Sequence, residues 1–433
     1  MSIFSSFSPA QRRNLAVLFM AGLCFWAGLA GLLPSLPLYI ETFGASGQQI
    51  GFVMASFGVG LIAARPVMAR LTDQQGRKPV MLIGLGAIAA APISYLLVQF
   101  LPTLVWEGTV WGHPLSVSSP VVLMMVFRAF HGLSIAAFVT AYSALIADLA
   151  PPDNRGELIG YMSLVNPIGM ALGPALGGYL QGLSGFTAVF LVMGAVGTLG
   201  FVGVLSSQEP DPIPGAASKA TANKRFWSLL WSPPIRIPAL MLLLVGLAFG
   251  SLATFIPLYA RESNLEVNVG LIYTASAMAS FAIRLPAGKA SDRVGRGRFI
   301  SVGLMFYTAS MLMLWLAHSV PMVLLAGALQ GAGGGTLIPM VAALMADRSS
   351  PGERGLMFGL CLTGFDVGIA LSGPLMGWVA DLTSYRDIFA LAGVMTLLGL
   401  VIFITTSSKD LAHSMRFALG RGRDVYAIAQ RSA

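Results

Sequence analysis

The sequence predicts an all-α integral membrane protein, with twelve transmembrane helices in two pseudo-symmetric six-helix bundles. Composition is the first reason. The 433 residues are 56% hydrophobic and only 10% charged, with a mean hydropathy of +0.77; a soluble domain carries about 25% charged residues. Span length is the second. A membrane helix needs about 20 apolar residues, and such runs lie near 14–40, 50–70, 79–100, 119–147, 157–181, 186–206, 237–260, 268–288, 298–317, 320–346, 355–380 and 386–407. They are too long for barrel strands, and an open sheet cannot pair its edges in lipid. The third is duplication. Arg65, Asp73, Gly76 and Arg77 recur 219 positions on as Arg284, Asp292, Gly295 and Arg296. Asp148, Arg155, Gly160, Gly169, Gly178 and Phe190 recur 199 positions on as Asp347, Arg354, Gly359, Gly368, Gly377 and Phe389. Tandem halves in an apolar chain point to a transporter with its path between them.

The difference between the two shifts places an insertion near 101–120, with Trp106, Glu107, Trp111 and His113. Its side of the membrane follows from the lysines and arginines. Of the 26, only Arg261 and Arg386 fall on one side, Arg65, Arg128 and Arg284 lie within spans, and all the others are on the opposite side. This bias puts both termini in the cytoplasm and the insertion outside. It also accounts for the net charge of +8 without nucleic acid, since the basic residues punctuate apolar runs rather than forming a soluble patch.

The expected organisation is an N-terminal bundle at 1–206, a polar cytoplasmic linker at 207–236, a C-terminal bundle at 237–407 and a basic cytoplasmic tail at 408–433. The linker carries Pro210, Pro212, Pro214, Lys219 and Asn223, a composition that resists regular structure. The tail reads as a solvated segment, with anionic lipid as the alternative. Segment Leu15–Tyr39 is too long for the apolar region of a signal peptide and is expected to be retained. Cys24 and Cys361 both sit in apolar runs and cannot form a disulfide framework.

Enzyme chemistry finds no support. Gly331-Ala332-Gly333-Gly334-Gly335-Thr336 lacks the Gly-Lys-Ser/Thr of a phosphate loop and falls within a span. The four histidines, 113, 131, 318 and 413, have no metal-ligand spacing. No cofactor and no metal are expected, and no nucleotide motif is present to supply energy, so a gradient must.

Twelve spans in two halves with paired loop signatures resemble the major facilitator superfamily over nearly the whole chain. The family's signature between its second and third helices has the form Gly-x-Leu-x-Asp-x-x-Gly-Arg-Lys/Arg. Here it runs from Ala69 through Leu71, Asp73, Gly76 and Arg77 to Lys78, with alanine at the first position. The second copy keeps Gly288, Asp292, Gly295 and Arg296 and has Ala290 in place of leucine. The resemblance implies a conformational latch at Asp73, Gly76, Arg77, Asp292, Gly295 and Arg296, with Asp73 holding the outward-open state. An orienting, loop-folding role uses the same residues.

The fifth span carries Gly160, Gly169, Gly173-Pro174 and Gly177-Gly178. This spacing matches the antiporter motif of the superfamily's drug:proton antiporters at every position. Its glycines would groove the helix and Pro174 would favour a kink; helix packing alone would use the same glycines. The second half has only Gly368, Ser372, Gly373-Pro374 and Gly377. In the fourth span, Arg128-Ala129-Phe130-His131-Gly132 resembles the family's Arg-x-x-Gln-Gly, with His131 for glutamine, whereas Gly327–Gly331 keeps Gln330 and loses the arginine. Asp366 is the one acid in mid-span, a position that costs about 2.5–3.5 kcal/mol, and its context resembles one branch of bacterial exporters. Asp366, Arg128 and His131 are the proton-coupling candidates; a structural hydrogen bond is the alternative for each.

By the resemblance, the first, fourth, seventh and tenth spans line the substrate cavity. They supply Trp26, Tyr142, Phe249, Phe255, Tyr259 and Gln330 as candidates, with no acid in the first span. That chemistry favours amphipathic, neutral or anionic solutes over organic cations. The expectation is a proton-coupled exporter in the plasma (bacterial inner) membrane, working as a monomer and touching solute, protons and lipid but no nucleic acid. A proton-coupled importer or uniporter of a small metabolite and a metallophore or siderophore exporter are the alternatives.

Overall fold

The first helix, α1 (Pro9–Ala30), starts at Ser8, whose hydroxyl accepts from Gln11 N while Gln11 Oε1 accepts from Ser8 N. This capping box satisfies two of the donors that a helix start leaves open. Ser46 and Gln49 repeat it at the start of α3 (Gly47–Gln75). The computed structural model describes residues 7–110, 113–150, 155–209, 229–349 and 354–428.

Between them the chain turns at residues 31–35 and forms a short α2 (Leu36–Glu41), so the predicted span 14–40 is two helices. After α3 come α4 (Arg77–Val98), a hairpin of β1 (Val105–Val110) and β2 (His113–Ser118), α5 (Ser119–Leu149), α6 (Arg155–Ser163) and α7 (Val165–Leu205). The second half has α8 (Pro233–Glu262), α9 (Val269–Val294), α10 (Arg296–Leu316), α11 (Val320–Asp347), α12 (Arg354–Leu382), α13 (Asp387–Thr406) and α14 (Leu411–Ala418). Among the described residues, ten helices are long and apolar enough to cross a membrane, and Val269–Arg284 is a shorter apolar one. The longest of the ten, Leu158–Leu205, breaks at Gly185 (φ 76°) into two spans. The twelve predicted spans are therefore present, the fifth and sixth joined without a loop.

The insertion, predicted only to lie outside the membrane, forms an antiparallel ladder from Val105↔Ser118 to Val110↔His113. Gln49 Nε2 donates to Ser116 O at 2.6 Å, tying the hairpin to the start of α3.

The chain divides into two compact units, Met1–Lys219 with Asn268–Leu271, and Ala220–Val267 with Ile272–Ala433. In the first, α1 packs on α7, α3 on α5, and α4 on α5 and α7. In the second, α8 packs on α12, and α10 on α11 and α13. The same pairings recur in both because the same small residues recur.

Those contacts are made backbone to backbone. A Cβ at Gly169 would meet Trp26 and Ala27 N, one at Gly173 would meet Ala27 O and Gly31 N, and one at Gly177 would run into Gly31 O. In the second unit, a Cβ at Gly364 would strike Ala239 O, and one at Gly368 would strike Leu243 O. Lipid tails are as apolar as leucine, so such helices associate through close packing rather than the hydrophobic effect. The outward faces carry Leu183, Leu199 and Val202, all exposed and apolar, as a lipid-facing surface requires.

Beyond α13 the tail is not solvated along its length. Ser414, Phe417 and Ala418 are buried against the second unit, and Ser301 Oγ donates to Ala418 O at 3.0 Å.

The packing predicts a contrast within one motif. Gly177→Val forces a side chain into the α1 backbone, and overpacking of this kind costs about 1–3 kcal/mol or more. Gly160 has open space around its Cβ position, so Gly160→Val leaves the fold intact. Thermal unfolding in detergent checks this: Gly177→Val lowers the transition by several degrees or abolishes the folded peak, and Gly160→Val does not.

Candidate functional site

The loop signature works through its glycine and its arginine. Gly76 sits at φ 98° and Gly295 at φ 100°, between α3 and α4 and between α9 and α10. A side chain strains that backbone conformation, which gives a physical reason for glycine in both copies. Each turn aims an arginine at an acid on the fourth spanning helix of its unit. Arg77 Nε lies 2.9 Å from Asp148 Oδ2, and Arg77 Nη1 donates to Thr72 O at 3.0 Å. Arg296 Nε lies 3.4 Å from Asp347 Oδ2, and its Nη1 donates to Ser291 Oγ at 2.6 Å. The sequence showed Asp148 and Asp347 as a repeated pair but not as partners of these arginines. Asp73 is exposed, and the Asp292 side chain lies outside the described residues.

The same turn also ties the ends of two helices together. Glu209 accepts from Arg77 N at 2.5 Å and Lys78 N at 3.0 Å, placing an anion on the positive N-terminus of α4. In return, Lys78 Nζ donates to Leu205 O and Ser207 O at 2.8 and 2.7 Å, at the C-terminus of α7.

Deeper in the first unit, the fourth-span signature builds a buried polar cluster. Arg128 is 5% exposed and His131 not at all. Arg128 Nη1 lies 3.2 Å and the Tyr95 hydroxyl 3.0 Å from His131 Nδ1. A guanidinium can only donate, so Nδ1 is the acceptor and the imidazole proton sits on Nε2. The guanidinium stands 4.6 Å from the centre of the Phe57 ring, a cation–π contact that compensates burial of its charge. Arg128 Nε and His131 Nε2 have no hydrogen-bond partner among the described residues. Nor does a carboxylate there come within ion-pair distance of Arg128.

The second unit repeats the cluster without the cation. Gln330 Nε2 donates to the Tyr307 hydroxyl at 3.1 Å, and Ser276 Oγ donates to Gln330 Oε1 at 2.6 Å. Tyr95 and Tyr307, each on its unit's third spanning helix, are the partners that sequence reading missed. A usable signal existed, because a tyrosine inside a span must find a partner for its hydroxyl.

Of the cavity candidates, Trp26 and Tyr142 meet. They line a cavity of about 190 Å³ in the first unit with Phe138, Ser143, Met162 and Asn166. Phe138 and Tyr142 of its lining stack with ring centres 5.1 Å apart, and Phe25 stacks on Phe138 at 4.1 Å. Phe249, Phe255, Tyr259 and Gln330 belong to the second unit. There Phe249 faces Phe365 at 5.6 Å, and Phe255 is buried and stacked on Tyr385. The Tyr259 hydroxyl donates to Leu314 O and Ala317 O. Asp366 is half-buried on α12, next to the Phe365 backbone on which Gly246 of α8 packs.

Comparison with known proteins extends this picture. The family model described as Major Facilitator Superfamily matches residues 18–282 and 265–418. The multi-drug resistance efflux pump PmrA of Streptococcus pneumoniae is 27% identical over 392 residues, covering 87% of this chain and 91% of its own. The multidrug resistance protein MdtG of Escherichia coli is 28% identical over 406 residues, covering 89% and 92%. Among solved structures, the nucleoside transporter NupG superposes with a TM-score of 0.69 at 14% identity, over 92% of this chain and 98% of its own. A bacterial homolog of the human lysosomal transporter Spinster superposes with a TM-score of 0.68 at 15% identity, over 97% and 100%. These two likenesses concern the fold alone.

The Arg77–Asp148 pair is partly exposed, 20% and 28%, so it contributes only about 0.2–1 kcal/mol. A thermal-stability cycle on Arg77→Gln, Asp148→Asn and the double variant is expected to show coupling of that size, with the double variant no less stable than the weaker single one. Additive losses would mean that the two side chains act apart.

Proposed function

We propose, starting from the fact that the chain belongs to the Major Facilitator Superfamily, that it exports small amphipathic, neutral or anionic organic solutes in exchange for protons. It is a multi-pass membrane transport protein and not an enzyme. The observation that carries the finer reading is the cavity of the first unit. Its walls are aromatic and aliphatic, with Ser143, Ser163 and Asn166 as polar groups and no charged residue among those described. A cavity of that kind binds by area and shape, and methionine such as Met162 adapts to varied solutes. The names of PmrA and MdtG, similar over about nine-tenths of both chains, support efflux of more than one compound.

In this reading the halves alternate access to the solute, with both termini in the cytoplasm. The arginine–aspartate pairs at the Lys/Arg-rich loops open and close with the cycle, and Asp73 and Asp292 join them in the other state. Because each such pair is worth about 1 kcal/mol or less, breaking it does not trap the carrier. The motif glycines Gly169, Gly173 and Gly177 keep the helix that walls the cavity tight against α1 and limit leak.

Protons supply the energy. One moving through about 100 mV provides about 2.3 kcal/mol, and each pH unit adds about 1.4. Asp366 is the carrier in this scheme, since an acid in mid-span is expensive unless it works. Arg128 and His131 form a second polar station, where the unpartnered Nε2–H and Nε–H donors suit an acceptor atom of a neutral or anionic solute.

Everted vesicles test the scheme with a panel of fluorescent amphipathic dyes. Acidifying the lumen is expected to drive dye uptake against its gradient, and Asp366→Asn to reduce that uptake at least tenfold while leaving thermal stability within a few degrees of wild type. Uptake that ignores the imposed proton gradient would favour a uniporter, and inhibition by it a proton-coupled importer. Undiminished coupling in Asp366→Asn would remove this residue from the mechanism.

A further inference from the structure

The C-terminal tail has a shape and a charge pattern that the transport scheme above leaves unexplained. Helix α14 begins at Asp410, whose side chain accepts from His413 N at 2.8 Å. Its three-dimensional surroundings fix which arc faces inward. Ser414, Phe417 and Ala418 are buried, and the Phe417 carbonyl lies against Gly297 at the start of α10. Ser408 N, just past the end of α13, donates to Ser414 Oγ at 2.9 Å. The helix is thereby fastened at the level where two spanning helices end, which in a membrane is the headgroup region.

The arc beside the buried one is apolar and uncovered. Leu411, Met415 and Leu419 follow at intervals of four and are 56%, 44% and 52% exposed. Residues four apart share a helix face, so these three form one stripe. Around it the exposed charges are mostly basic, with Asp410 as the exposed acid. Arg416, Arg421 and Arg423 are exposed, and Arg298 lies against Gly420. The two acids of the segment are each paired. Asp410 caps α14 and pairs with His413. Asp424 grips Arg348 through two bonds of 2.6 and 3.0 Å, and this pair is nearly buried.

An apolar edge flanked by arginines, held at the end of spanning helices, is the pattern of an interfacial segment on a negatively charged leaflet. We propose that residues 409–428 form a docking surface for anionic phospholipid. Leu411, Met415 and Leu419 enter the acyl boundary, and Arg298, Arg416, Arg421 and Arg423 meet the phosphates. The surface is also wired to the loop signature. Arg348 Nη1 donates to Pro234 O at 2.6 Å, and Ile428 N donates to the carbonyl of Asp347 at 2.9 Å, the residue that pairs with Arg296. Lipid seated on the tail therefore steadies the second arginine–aspartate pair. This inference does not depend on which solute is carried or on proton coupling.

The test places an environment-sensitive fluorophore on Met415→Cys in the full-length protein, with the buried Cys24 and Cys361 replaced by alanine. The protein is reconstituted in vesicles of phosphatidylcholine and phosphatidylglycerol, with bromine on the acyl chains of one lipid or the other. Brominated phosphatidylglycerol is expected to quench about twofold or more over brominated phosphatidylcholine at equal bromine content, with little quenching by aqueous iodide. The exposed triple variant Arg416→Gln, Arg421→Gln, Arg423→Gln is expected to erase that preference without changing thermal stability in detergent. Strong iodide quenching with no lipid quenching would overturn the proposal. Equal quenching by both lipids, unchanged in the triple variant, would overturn it as well.

Discussion

The fold depends on helices touching backbone to backbone at glycine. In lipid nothing pushes apolar side chains together, so affinity between helices has to come from surfaces that fit closely. Gly169, Gly173 and Gly177 let α7 lie on α1 within the reach of carbonyl oxygens, and Gly364 and Gly368 do the same for α12 on α8. At Gly132 and Gly331 the fourth spanning helix of each unit meets a neighbouring backbone, at Phe57 O and Ser276 O. A single methyl at these points has nowhere to go, because the opposing atoms are main chain. The glycine spacing that resembles an antiporter signature is thus also the packing device of the first unit, and the second unit achieves the same contact with a less complete set.

Against this shared frame, the differences between the units carry the information about mechanism. Both present a tyrosine hydroxyl to the residue three positions after the start of the fourth-span signature, His131 in one and Gln330 in the other. Only the first adds a guanidinium, stacked on Phe57 and sharing Nδ1 of the histidine. Burying that charge with no carboxylate at ion-pair distance among the described residues costs free energy that the aromatic face offsets only in part. The second unit instead carries a mid-span acid, Asp366, on α12. Polar chemistry is therefore divided between halves whose scaffolds are alike, as an ancestral duplication followed by specialisation would leave it.

At the ends of the helices the interactions are of a different kind. The arginine–aspartate pairs there are partly exposed and weak, whereas Glu209 and Lys78 each satisfy two backbone groups at a helix terminus. The weak pairs suit contacts that change during a cycle, and the capping contacts suit those that hold a unit together. The tail adds a third kind, a nearly buried ion pair between Asp424 and Arg348 that anchors a segment rich in exposed arginine.

Much of this was legible in the sequence. Twelve spans, two halves, the loop signatures and the ionisable residues inside spans all follow from apolar length, repetition and the cost of charge in lipid, which are properties of the chain itself. Gly76 and Gly295 could be singled out because they recur at the same place in the two halves, and the structure adds the left-handed backbone that explains them. Partners were another matter. That Arg77 reaches Asp148, that Tyr95 meets His131, that Trp26 and Tyr142 share a cavity while Tyr259 bonds Leu314 and Ala317, and that the tail folds back onto Arg348, depends on which faces of distant helices are turned toward each other. Hydropathy is nearly uniform around a membrane helix, so it records that a segment crosses the bilayer but hardly how it is rotated; rotation is decided by close packing among helices, and only the tertiary structure contains it.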